Sequence, residues 1–129
     1  MSLVTQMSML ASRIGAEIKG LIRPEHPGLA RAWVSFGYVG SSIDQFSSHN
    51  VAGVTRLAKG RYRIDFATAF ADANYCWVAS ARSSSTSTIR FAAVRTTADA
   101  KTADYLELVC TSSSGWLADT TELNLVVYR

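Results

Sequence analysis

The feature that most constrains this chain is a change of period near residue 23. Between Leu3 and Ile22, apolar side chains fall at Leu3, Met7, Leu10, Ile14, Ile18 and Leu21, the three- and four-residue spacing of one helix face. Ser2 or Thr5 can cap the start, Gly20 weakens the end, and Pro24, Pro27 and Gly28 forbid continuation. At 1.5 Å per residue such a helix spans roughly 30 Å. Beyond Gly28 the spacing changes to β-branched and aromatic runs separated by small polar clusters. The predicted strands are 30–39, 51–57, 61–68, 75–82, 88–96, 105–111 and 122–128. The clearest alternation sets Tyr62, Ile64 and Phe66 against Arg61, Arg63 and Asp65, after the turn signal Ala58-Lys59-Gly60. Leu106, Leu108 and Cys110 repeat that period, as do Leu123, Leu125 and Val127. Ser83 to Ser87 and Ser112 to Gly115 read as exposed loops.

Two elements so unlike demand a division of labour. Hydrophobic residues make up 48% of the 129 residues and charged residues 18%, enough apolar side chains for one core but too short a chain for two. The expected organisation is a helical stem over 1–23, a linker over 24–29 and an antiparallel β-sandwich of about seven strands over 30–129. An apolar stripe on a lone helix is marginal in water, so it must be covered. It either folds back onto the β domain or self-associates, and the near-heptad spacing favours a parallel bundle through Met7, Leu10, Ile14, Ile18 and Leu21. Met7, Ala11, Ile14, Ile18 and Leu21 fit a 3.5-residue repeat, whereas Leu3 and Leu10 prefer a shifted seam, so the spacing leaves oligomer order open.

Signals for chemistry are sparse. His26 and His49 have no carboxylate or cysteine at ligand spacing, and Cys76 and Cys110 lack a CxxC arrangement, so no metal is expected. The two thiols read as buried small hydrophobes, with a disulfide between them as the alternative. The serines lack a nucleophile elbow and the glycines lack a phosphate loop. The acidic residues Asp44, Asp65, Asp72, Asp99, Asp104, Glu107, Asp119 and Glu122 are dispersed toward strand ends and turns, where capping backbone donors is their commoner role. The expectation is a protein without enzymatic activity or cofactor. A formal net charge of +3 falls short of the excess that nucleic-acid binding draws on. No stretch is apolar enough to enter a membrane and no signal peptide is recognisable, so a cytoplasmically made, soluble product is expected.

Two features offer a surface for ligands. Arg56, Lys59, Arg61 and Arg63 form the densest basic group, read either as a solvated sheet face or as contact for an anionic surface. Trp33 and Trp77 sit within strands and read as core or interface residues. Trp116, after Ser112-Ser113-Ser114-Gly115, is the aromatic side chain most exposed for stacking on a sugar. The candidate ligand contacts are therefore Trp116, Arg56, Lys59 and Arg61.

Specific residues also carry a resemblance. The run Ala30 to Phe36, then Ile43-Asp44-Gln45-Phe46, Asn50-Val51 and Val54-Thr55, leading to Gly60-x-Tyr62-x-Ile64-x-Phe66 and Asp72-Ala73-Asn74-Tyr75, resembles the β domain of small tailed-bacteriophage fibre proteins over about residues 30 to 80. The helical leader is similar to the oligomerising stems of such proteins. The usual acidic turn before the Gly-x-Tyr strand is replaced by Arg56-Leu57-Ala58-Lys59-Gly60-Arg61. The resemblance implies a virion protein: a homotrimer whose coiled-coil stem joins other virion proteins of tail or capsid, and whose β knob points outward to adhere to the host, with a surface glycan as candidate receptor. Two alternatives stand beside a tail fibre: a head fibre or capsid-decoration protein, and a carbohydrate-binding β-sandwich module.

Overall fold

A computed structural model describes residues 2–21, 23, 26–83 and 88–129. Pro24, the expected helix stop, and residues 84–87 of the expected serine loop lie outside the described residues. The helix α1 runs Leu3–Leu21. Ser2 caps it, its Oγ accepting the Thr5 N–H at 3.2 Å and meeting the Thr5 hydroxyl at 2.8 Å. The helix runs through Gly20 to Leu21, close to the boundary expected near residue 23.

The β domain comprises β1 (Ala32–Val39), β2 (Ser42–His49), β3 (Val51–Ala58), β4 (Arg61–Phe66), β5 (Cys76–Ala81), β6 (Arg90–Val94), β7 (Tyr105–Ser112) and β8 (Leu123–Tyr128). They form two four-stranded sheets, β2-β1-β8-β5 and β3-β4-β7-β6, in which every neighbouring pair is antiparallel. A mostly β, sandwich-like fold is therefore present, with eight strands in place of about seven. The additional strand is β2, whose sequence SIDQFSSH has no sustained alternation. It lies at a sheet edge with most of its residues exposed, so burial imposes no two-residue period on it.

The core lies between the sheets. Ala32, Val34 and Phe36 of β1, with Leu123, Leu125 and Val127 of β8, face Tyr62, Ile64 and Phe66 of β4 and Leu106, Leu108 and Cys110 of β7. Phe36 and Tyr62 meet edge to face with centroids 5.3 Å apart, and Phe66, Phe70 and Tyr75 form a second aromatic group. Trp77 packs against the core as expected, but Trp33 stands on the outer face, 37% exposed.

A corner between the sheets and a hairpin within one of them each turn on a left-handed residue. Asn50 joins β2 to β3 at φ 53°, a left-handed conformation that asparagine tolerates. Its side chain donates to Arg31 C=O and Thr68 C=O, both at 3.2 Å, and accepts the Thr68 N–H at 2.7 Å. Gly60, at φ 68°, closes the β3–β4 turn under the β7–β8 connection. A Cβ there would lie 2.6 Å from Cys110 O and 2.7 Å from Ala118 N.

Candidate functional site

The helix carries the first candidate surface. All its described side chains are exposed, with Leu3, Met7, Leu10, Ile14, Ile18 and Leu21 between 48% and 71% open to solvent. At 100° per residue these six fall within an arc of roughly 80°. The stripe also repeats: Leu3, Met7 and Leu10 recur eleven residues later as Ile14, Ile18 and Leu21. An eleven-residue period averages 3.67 residues per turn, close to the natural pitch, and resolves the two conflicting heptad seams into one. Arg13 and Glu17 pair across one turn at 3.4 Å beside the stripe, an exposed contact that contributes little. Lys19 in the last turn complements the helix dipole.

The basic group divides instead of forming one surface. Arg56, read from sequence as a surface contact, is turned toward the end of the sandwich: its Nε and Nη2 donate to Asp119 Oδ1 and Oδ2 at 3.1 and 2.8 Å, and its guanidinium lies 4.3 Å from the Tyr38 ring. The register explains this. Arg56 is opposite Tyr62, whose side chain faces inward, so Arg56 shares the inner face near the rim. The Tyr62 hydroxyl and the Gly60 N–H donate to the same carboxylate at 2.6 and 3.0 Å. Desolvation pushes the Asp119 carboxyl up, but the bonds from Arg56, Tyr62 and Gly60 outweigh it and hold it at about 2. Arg56 thus has a packing partner, and Asp119 caps a backbone donor as its sequence position suggested.

Arg63 also has an internal role on the opposite face of the same sheet. Glu107 of β7 is only 2% exposed, yet it is on the outward side between two cations. Arg63 reaches its Oε1 at 2.6 Å and Arg95 its Oε2. Burial raises the Glu107 carboxyl, while both guanidiniums draw it lower, and the net displacement is downward. The Arg63 guanidinium covers the Tyr105 ring at 4.2 Å, helping to shut water from that face. Glu107 is thus not a strand-end carboxylate. Nothing in Leu106-Glu107-Leu108 reveals its burial, because both arginines arrive from other strands.

Lys59 and Arg61 remain. Lys59 is exposed in the β3–β4 turn, and Arg61 opens β4 on the outer face opposite Val109. Arg61 borders an open trough of 500 Å³ whose other walls include Ala93, Thr96, Thr97, Val109 and Leu117. Its Nε is buried without a hydrogen-bond partner, a state that ordinarily costs about 1–3 kcal/mol. Trp116, 77% exposed, precedes Leu117, and Leu117 bridges Thr111 beside the trough. The structure leaves Trp116 and Lys59 exposed and both Arg61 and Arg56 half-buried, Arg56 being paired with Asp119.

One of the two thiols differs from expectation. Both cysteines are free, so no disulfide joins them; Cys110 is buried and Cys76 is exposed on the outer side of β5. Burial pushes the Cys110 thiol up to about 11. Among the described residues no group of three or more His, Cys, Asp or Glu is placed to hold a metal, and no helix is long and apolar enough to cross a membrane. Comparison with protein families, with characterised proteins and with solved structures found no match.

Proposed function

We propose that this chain is a non-enzymatic virion fibre protein of a tailed bacteriophage, in which three copies join through α1, attach to the particle by that stem and present the β domain to the host surface. The observation that carries the proposal is the stripe from Leu3 to Leu21, which is open to solvent along its whole length in the single chain. The family resemblance over residues 30 to 80 supplies the virion context.

Energetics favour association. Covering a large apolar side chain contributes about 1.5–3 kcal/mol from full exposure, hence about 1 kcal/mol for each of these partly covered ones. Six from each of three helices, about 18 kcal/mol together, exceed the cost of the two association steps over the lower part of its range of about 4–15 kcal/mol each. The eleven-residue period favours a nearly straight or gently right-handed bundle over a left-handed coiled coil. Three β domains around one axis then let individually weak contacts with a repetitive surface add by avidity.

Size-exclusion chromatography with light scattering on the full chain at micromolar concentration tests the stem, with three times the 14.0 kDa chain mass expected and a monomer refuting it. Immunogold labelling of purified particles tests the position. Label on the tail supports the fibre reading, and label on the shell reassigns the protein to the head.

A further inference from the structure

The geometry points to the trough beside Arg61 as a binding site for a carboxylate-bearing saccharide, such as a uronic-acid residue of a surface polysaccharide. This inference rests on the host-adhesion reading and gives it a place and a ligand chemistry.

The trough is on the outer face of the β3-β4-β7-β6 sheet, and its 500 Å³ lies within the roughly 300–1,000 Å³ of small-molecule pockets. Ala93 and Val109 are register partners on β6 and β7, and with Leu117 they give it an apolar side. That surface suits the C–H face of a pyranose ring. Thr96 and Thr97 stand on the border; the Thr97 hydroxyl is engaged with Asp99, and the Thr96 hydroxyl can donate to or accept from a ring hydroxyl. Trp116, adjoining Leu117, leaves a ring open for stacking of a following sugar.

Charge accounting selects an anion. Three arginines border this face: Arg61, Arg63 and Arg95. Glu107 is taken by Arg63 and Arg95, and Asp65 and Asp99 act on Arg63 or on both of these cations. None of these carboxylates reaches Arg61, whose side chain makes no ion pair or hydrogen bond in the described structure. Its Nε is buried without an acceptor and out of a ligand's reach, while its terminal nitrogens, which bond to nothing in the described structure, are the donors left for a ligand in the trough. A carboxylate fits a guanidinium edge through two parallel hydrogen bonds, which neither a hydroxyl nor a neutral sugar reproduces. Lys59, two residues earlier and exposed, extends the positive rim toward the next acidic unit of a polymer.

The test titrates the full-length protein with trigalacturonate by calorimetry, and follows the Arg61 Nε–H resonance by NMR. Maltotriose, hexaglutamate and sodium acetate are the controls. Trigalacturonate is expected to bind and to move the Arg61 resonance, and Arg61→Gln is expected to weaken it roughly 10-fold or more. Maltotriose is expected to bind far more weakly. Equal binding of hexaglutamate or acetate would reduce the site to a general anion contact and overturn the inference. So would no trigalacturonate binding, or binding indifferent to Arg61→Gln. Light scattering on the same samples separates the two readings: a trimer that ignores trigalacturonate removes the saccharide site alone, whereas a monomer that binds it removes the stem.

Discussion

Asp119→Asn takes one charge from the rim of the sandwich while keeping the side chain's shape. In the native protein that carboxylate receives four hydrogen bonds, two from Arg56, one from Tyr62 and one from the Gly60 N–H. An asparagine amide has one acceptor oxygen and presents an NH2 group where the second oxygen stood, so at least one donor loses its partner. The carboxyl moves from its ordinary 3.8 to about 2 on folding. At 1.36 kcal/mol per pH unit this is about 2 kcal/mol of stability at neutral pH. In a domain of about a hundred residues that corresponds to a Tm lower by roughly 10 °C. Because the folded value is depressed, the contribution is complete well above 3.8 and is lost as pH falls toward 2. The gap between wild type and Asp119→Asn therefore closes over that window. Circular-dichroism melts from pH 7 to pH 2.5 on both proteins measure it. Glu107 is displaced in the same direction, so wild type alone also loses stability in acid, and only the difference between the two proteins isolates Asp119. A variant melting within about 2 °C of wild type at pH 7, or a gap independent of pH, refutes the reasoning.

Other perturbations separate the two halves of the chain. Gly60→Ala should destabilise the β domain by about 2–4 kcal/mol in a denaturant titration, since it combines left-handed strain with a backbone clash, whereas Gly53→Ala, with nothing within 4 Å of the added carbon, should change little. The double change Ile14→Ser and Ile18→Ser should convert the trimer to a monomer by light scattering without altering the β-domain melt. Met9→Ser, exposed but off the stripe, should leave the trimer intact. A thiol reagent at pH 8 should label Cys76 promptly and Cys110 only on unfolding; prompt reaction of both would contradict the burial of Cys110.

Legibility from sequence follows from how local each cause is. The turn at Lys59 and Gly60 and the alternation of Tyr62, Ile64 and Phe66 come through because the two-residue pleat and the left-handed glycine act within a few residues. The helix and its cap at Ser2 are equally local. β2 is missed because it forms by pairing with β1, with little burial to mark it. Cys76 is misread as buried because an apolar neighbourhood does not say which face of an edge strand meets the core; Trp77, one residue on, takes the inward place.

The candidate surface shows the same boundary more sharply. Sequence groups Arg56, Lys59, Arg61 and Arg63 as neighbours, yet register sends Arg56 inward to Asp119, Arg63 to Glu107, and leaves Arg61 unpaired over the trough. Each partner lies 44 or 63 residues away along the chain. By itself the sequence determined that a helix with one apolar stripe precedes a chain of alternating strands, since both periods are set by backbone geometry and hydrophobicity. Only the tertiary structure decided which charges cancel and which stay free, because that depends on the strands brought side by side, and no local period encodes it.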